Sequence, residues 1–176
     1  MARGFSPPRL ARILLLLLLG FFAISLEAAP MGLAADAWPS PDLLFLVVAC
    51  FSARRPDATP LLAIASLGLV RDLVTDPPAG AGLLTLVLAA EFLKLVGPGL
   101  ARRSFATEWA LVASLLGLTL LAQWLVVLLL LAHPPYLVEL MRQWAFSAAL
   151  YPAVAFALRW LVGITWRRPA AATGKA

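Results

Sequence analysis

Few side chains in this sequence could do chemistry. Cys50 and His133 are the single cysteine and the single histidine, so there are too few residues for a disulfide within the chain or for a Cys/His zinc cluster. The chain also lacks a His-Glu-x-x-His pair, a glycine-rich phosphate loop and a Gly-x-Ser-x-Gly elbow. We therefore predict no enzyme activity and no catalytic, cofactor-binding or metal-binding residues.

The most informative residues are charged side chains within long apolar runs, namely Arg71, Asp72, Glu91 and Arg142. An ionisable group at the centre of a bilayer costs at least about 2.5 kcal/mol, so each needs a partner, a cavity or a position near the membrane surface. Neighbouring residues on a helix project about 100° apart. Arg71 and Asp72 therefore cannot face each other, and at least one of them turns to another helix. Lys94 lies three residues after Glu91, a spacing that permits an ion pair within one helix.

Asp72 has both a structural and a functional interpretation. It shares a helical stripe with Gly68, which predicts close helix packing beside a polar group. Counting depth from the turns favours a bridge from Asp72 to Arg142, with Glu139 as the alternative partner of Arg142. The structural interpretation is a hydrogen-bond acceptor that holds helices together, and the functional one is a carboxylate that contacts a ligand or carries a proton. The scarcity of polar groups at successive depths favours the structural interpretation.

The composition explains why these positions stand out. The chain has 176 residues, of which 62% are hydrophobic and 13% charged, and its mean hydropathy is +0.93. Soluble domains contain about 25% charged residues, so a soluble globular protein is excluded. The net charge is +5, but the basic residues flank apolar runs, which argues against nucleic acid as a partner.

Charged and proline-rich breaks divide the chain into six apolar segments. A bilayer core of about 30 Å requires about 20 residues of helix, so we predict an all-α membrane bundle of six transmembrane helices. Spans three and six carry the polar groups that must be buried, so we predict that these two spans form the interior of the bundle. A single membrane domain over residues 1–168 is then followed by a disordered tail at 169–176. The predicted spans are residues 10–28, 43–53, 61–74, 81–96, 107–132 and 137–165.

Lys and Arg residues predict the orientation of the spans. Six spans place twelve of the fourteen basic residues on one side, which is expected to be the cytoplasm, so both termini are predicted to be cytoplasmic. The alternative is a cleaved signal peptide over residues 1–28, which would leave five spans in the same orientation. The basic doublets at 102–103 and 167–168 could contact anionic membrane lipid or an acidic cytoplasmic partner.

A series of short motifs carries a resemblance to a known family. The motifs are Pro41-Asp42-Leu43-Leu44, Arg54-Arg55-Pro56, Gly68-Leu69-Val70-Arg71-Asp72, Asp76-Pro77-Pro78 with Gly80, and Tyr151-Pro152 before a basic tail. In order and spacing they resemble the rod shape-determining MreD family over roughly residues 10–168. Arg71 beside the aspartate is a departure that the resemblance does not explain.

The resemblance implies a non-enzymatic scaffold in the bacterial inner membrane. Its implied partners are MreC, the MreB filament, and the elongation-specific glycosyltransferase and transpeptidase of peptidoglycan synthesis. Gly68 and Asp72 match the recurring glycine-aspartate segment of the family, without a catalytic duty. The implied fold is similar to that of the substrate-binding subunits of energy-coupling-factor vitamin transporters.

That similarity defines the main alternative, a small-molecule-binding subunit for vitamin uptake. Such a subunit requires a pocket with several polar contacts near the outer side, and the loop at 27–42 supplies few. It also tends to carry a small-xxx-small face on its first helix, where this chain has leucines. A membrane-embedded enzyme is a third class, disfavoured by the lack of paired catalytic groups.

Overall fold

The computed structural model describes residues 9–28, 41–75, 80–100, 103–130 and 136–162. Within these ranges the ordered elements are all helical. The helices are α1 Arg9–Ala28, α2 Leu43–Arg54, α3 Leu61–Thr75, α4 Ala81–Leu100, α5 Phe105–Leu129 and α6 Leu137–Val162, with a short 3-10 helix at Pro56–Ala58. The predicted tail at 169–176, the proline turn at 76–79, His133 and the basic doublet at 167–168 lie outside the described residues.

Each apolar segment predicted from the sequence is a helix. The predicted ends that lie within the described residues agree within two residues, except at the end of α4. The prediction that the fourth span ends at residue 96 is wrong, because α4 continues through Pro98 to Leu100. Gly97 has no side chain to clash with the proline ring. It also packs directly on α2, since a Cβ there would lie 2.6 Å from the Ala53 carbonyl oxygen.

The most buried element is the short helix α2. Every residue from Leu44 to Arg54 is buried, and α2 packs against α1, α4 and α6. The prediction that spans three and six form the interior is therefore wrong. Because α2 is apolar on all sides, no face of it favours an exposed position.

The surrounding helices present large apolar side chains outward. Leu62 is 83% exposed, Leu95 80% and Leu18 69%. Such dense apolar exposure is unusual for a soluble monomer. Three helices, α1, α4 and α5, are long and apolar enough to cross a membrane, and α2 is a shorter apolar helix.

Consecutive helices run antiparallel, which gives the bundle two ends. We name the end at which α1 begins the basal end; α3 and α5 also begin there, and α2, α4 and α6 finish there. The opposite end is the distal end. Contacts between neighbouring segments identify the two ends. Near the basal end Arg12 on α1 forms an ion pair with Asp57 at 3.0 Å, and near the distal end Glu27 accepts a hydrogen bond from the Leu44 backbone N–H at 3.0 Å.

Two tryptophans join α5 to α6. The indole of Trp109 donates to the Ala148 carbonyl at 2.8 Å. Pro152 has no N–H to bond this carbonyl four residues earlier in the helix, so the indole replaces the missing donor. In the opposite direction, Trp144 donates to the Ala113 carbonyl at 2.8 Å.

Candidate functional site: two buried charged clusters

The first cluster lies near the basal end and consists of Arg54, Glu108 and Tyr151. Arg54 Nε donates to Glu108 Oε1 at 2.9 Å and Nη2 donates to Oε2 at 3.2 Å, so the ion pair is bidentate. The Tyr151 hydroxyl donates to Glu108 Oε1 at 2.7 Å. All three residues are buried, with Glu108 1% exposed. This basal cluster therefore joins α2, α5 and α6 through one carboxylate.

Local structure places these charges favourably. Arg54 lies in the last turn of α2 and Glu108 in the first turn of α5. A cation is stabilised at a helix C-terminus and an acid at an N-terminus, so both helix dipoles favour the pair. The ring of Phe105 stacks on Tyr151 with centroids 6.2 Å apart, which covers the cluster with apolar surface.

The second cluster lies near the distal end and consists of Glu27, Asp42, Arg71 and Ser147. Arg71 Nη2 donates to Asp42 Oδ2 at 3.0 Å, and its Nε lies 3.5 Å from Glu27 Oε2. The Asp42 backbone N–H donates to Ser147 Oγ at 2.9 Å. The distal cluster therefore connects α1, the start of α2, α3 and α6.

Two carboxylates of the distal cluster also accept hydrogen bonds from the first turn of α2. Asp42 Oδ1 accepts from the Phe45 N–H at 2.9 Å, which is an N-cap contact. Glu27 Oε1 accepts from the Leu44 N–H. The first turn of α2 thus finds acceptors for its free N–H groups. The Arg71 guanidinium, with one positive charge, lies beside both carboxylates.

Asp72 follows Arg71 but faces a different helix. Its Oδ2 accepts hydrogen bonds from the backbone N–H groups of Gly80 and Leu83, both at 3.0 Å, so it caps the start of α4 from α3. At Gly68 a Cβ would lie 2.9 Å from the Leu83 Cα. The predicted close packing at Gly68 beside a polar group is confirmed, and so is the prediction that at least one of the two adjacent charges turns to another helix.

The predicted bridge between Asp72 and Arg142 is wrong. Asp72 is buried between α3 and α4, where capping engages it, whereas α6 packs on α5 and α2. Arg142 is exposed, as is Glu139. Among the described residues neither of the two forms an ion pair, so the alternative pairing of Arg142 with Glu139 is absent as well.

Glu91, another candidate residue from the sequence, forms the predicted ion pair with Lys94. Lys94 Nζ donates to Glu91 Oε1 at 2.7 Å across one turn of α4. The side chain of Glu91 is 44% exposed, so this pair lies at the surface of the bundle. The prediction of an ion pair within the helix is confirmed.

Sequence reasoning missed the members of the basal cluster. Arg54 and Tyr151 belong to the short motifs quoted from the sequence, and Arg54 also marks orientation, but neither is predicted as a site residue. Glu108 is only an acid near the start of a predicted span. A signal was present in the topology. With six antiparallel helices, an arginine at the end of the second helix and an acid at the start of the fifth lie at the same end of the bundle.

An open groove of about 240 Å³ lies between α5 and α6. Its lining residues are Gly117, Leu120, Leu121, Leu137, Leu140, Met141 and Trp144. The Trp144 indole N–H already bonds the Ala113 carbonyl, so the groove offers an apolar lining. No group of three or more His, Cys, Asp or Glu side chains that could hold a metal ion is present in the ranges that the structure describes.

The buried carboxylates of both clusters thus bond to guanidinium, hydroxyl or backbone N–H groups of the protein itself. An acid or base that acts on a substrate must instead reach the proton it transfers. This arrangement can fix the relative positions of helices. No family model, no curated protein and no solved structure matches the chain.

Proposed function

We propose that this chain is a non-enzymatic scaffold of the bacterial cell-elongation complex, which synthesises peptidoglycan during rod-shaped growth. In this proposal the chain lies in the inner membrane as a multi-pass helix bundle with both termini in the cytoplasm. Its fold is similar to that of energy-coupling-factor substrate-binding subunits. Its partners are MreC, the MreB filament and the elongation-specific glycosyltransferase and transpeptidase, as the resemblance to the MreD family implies.

The observation that carries the proposal is the role of the Gly68–Asp72 segment, which belongs to the MreD-like pattern. Gly68 lets α3 approach α4, and Asp72 caps α4. Both residues therefore act on helix packing. A motif with that role suits a protein that presents a fixed surface to partners, because catalysis and ligand binding need polar groups that reach an open site.

The distribution of charge supports the membrane placement. Among the described residues, the half of the bundle nearer the basal end holds seven basic and three acidic side chains, and the distal half holds two basic and four acidic ones. Lys and Arg near the ends of membrane spans favour the cytoplasmic side. The basal end, where α1 begins, is therefore cytoplasmic in this proposal.

Purification from native membranes tests the proposal. The full chain would be tagged at the C-terminus, extracted with a mild detergent, and every co-eluting protein and small molecule identified by mass spectrometry. We expect MreC and the elongation-specific synthases in amounts well above those from untagged membranes. Recovery of paired ATPase subunits or of a vitamin-like ligand in stoichiometric amount would contradict the scaffold and favour the transport subunit.

An Asp72→Ala variant serves as the matched comparison. Because Asp72 caps α4, its loss should lower the amount of folded protein and the recovery of partners in the same proportion. Normal accumulation together with lost partners would instead place Asp72 at an interface. Arg142→Gln, a change at an exposed position on α6, should leave the amount of folded protein unchanged.

A further inference from the structure

The described acidic side chains near the basal end all form ion pairs within the protein. Three acids are described in this half of the bundle, and each lies within ion-pair distance of a basic side chain. The pairs are Arg12–Asp57 at 3.0 Å, Arg54–Glu108 at 2.9 Å and Lys94–Glu91 at 2.7 Å. No described acid at this end is therefore left to neutralise any additional cation.

Three further basic side chains stand at the same end. Arg55 follows α2 and is half-buried, while Arg103, just before α5, and Arg159, in the last turn of α6, are exposed. None of them has an acidic partner among the described residues. Because the basal cluster ties the end of α2 to the start of α5 and to α6, the three guanidinium groups are presented by neighbouring segments.

Exposed aromatic side chains lie among these arginines. Trp160 follows Arg159 and is 76% exposed, and Phe105 and Trp109 in the first turns of α5 are 46% and 40% exposed. Aromatic rings of this kind occupy the headgroup level of a bilayer. In a bilayer the apolar sides of the helices would contact acyl chains, and the aromatic rings would lie at the level of the glycerol groups. The guanidinium groups would contact lipid phosphate, which arginine binds in a bidentate manner.

From this geometry we infer that the basal end binds anionic phospholipid headgroups through Arg55, Arg103 and Arg159. The inference rests on the membrane placement in the proposed function but not on the elongation partners. The three arginines attract a phosphate-bearing lipid of net negative charge over a zwitterionic one, since the internal acids are already neutralised. The bound lipid thereby fixes the depth of the basal end in its leaflet.

Native mass spectrometry of the purified full chain tests this inference. The protein in an uncharged detergent would be given equal amounts of phosphatidylglycerol and phosphatidylcholine, and the lipids retained would be counted. We expect phosphatidylglycerol to be retained preferentially. An Arg55→Gln, Arg103→Gln, Arg159→Gln variant should weaken its binding on the order of tenfold, and added salt should weaken it in the wild type.

The matched control is Arg142→Gln, which removes an exposed arginine from the distal half. It should retain the wild-type lipid preference. Equal retention of the two lipids, or equal loss of preference in the control and the triple variant, would overturn the inference. So would a triple variant that keeps its lipid preference but loses a co-purifying acidic protein, or competition by inorganic phosphate as effective as that by lipid. None of these results depends on recovery of the elongation proteins, so failure of the two proposals can be told apart.

Discussion

Arg54 and Asp42 lie at opposite ends of α2, and each joins a buried charged cluster. Between them α2 is apolar and buried on every side, so hydrophobic packing alone would tolerate rotation or sliding of this short helix. A buried ion pair gains little net stability because desolvation offsets most of its attraction. It does exclude other arrangements, since any shift of α2 would leave charges buried without their partners. We therefore expect the clusters to fix the register of α2.

Glu108→Gln tests this role at the basal end. The change keeps the shape of the side chain but removes the negative charge that the Arg54 guanidinium faces in a buried site. We expect a loss of about 3–5 kcal/mol in the free energy of unfolding, because a buried charge then lacks its counterion. Thermal unfolding of the purified protein in detergent would measure it.

Glu91→Gln is the control for that measurement. It removes the same charge from a pair whose acidic side chain is 44% exposed, so the expected loss is below about 0.5 kcal/mol. Equal small losses in both variants would contradict a structural role for the basal cluster.

At the scale of elements, α3 and α4 pack through glycine. Gly68→Ala would place a Cβ 2.9 Å from the Leu83 Cα, a backbone atom that cannot rotate away, so the helices must separate. We expect a loss of about 1–3 kcal/mol, as for overpacking in a core. Gly99→Ala is the control, because nothing lies within 4 Å of a Cβ there and alanine is the better helix former. If chemical unfolding finds the two variants alike, the close contact between α3 and α4 is wrong.

The α5–α6 pair supplies a second test at this scale. Trp109→Phe removes the donor for the Ala148 carbonyl that Pro152 leaves free, which should cost about 1–3 kcal/mol. In a Pro152→Ala background the helix regains its own N–H donor, so the same tryptophan change should cost less. A double-mutant cycle of unfolding free energies measures the difference. Equal costs in both backgrounds would show that the indole is not replacing the missing helix bond.

The helices themselves could be predicted from the sequence because apolar length and proline breaks are local signals. The end of α4 could not, since Pro98 breaks helices by default, whereas Gly97 before it has no Cβ to clash with the proline ring and packs closely on Ala53. The interior position of α2 was not predicted from the sequence either. Its run of twelve residues is short for a bilayer, and hydropathy alone does not say which apolar helix the others surround.

For the molecule as a whole, the charged contacts depend on which helices are neighbours. The Glu91–Lys94 pair could be predicted because both residues lie on one turn. The Arg54–Glu108 pair joins residues 54 positions apart, so it follows only from the order in which the helices pack. The error at Arg142 has the same origin: depth along the helices was counted, but the side of α6 that faces the bundle was not known.

The proposed placement of the bundle across a membrane gives the last prediction. In a Cys50→Ala background, Arg103→Cys just before α5 at the basal end and Tyr136→Cys just before α6 at the distal end place a thiol at exposed positions outside the helices. Basic residues favour the cytoplasmic side, so a membrane-impermeant maleimide should label the Tyr136→Cys variant in intact spheroplasts and the Arg103→Cys variant only after permeabilisation.

The wild-type chain is the control for this labelling, because Cys50 is fully buried and should react only after denaturation. The reverse pattern would mean an inverted orientation, and the proposed contact of the basal arginines with the cytoplasmic leaflet would fail with it. Labelling of both variants without permeabilisation would mean that the two halves lie on one side. The exposed leucines of the outer helices would then have to be covered by other proteins, since water does not solvate a surface of that extent favourably.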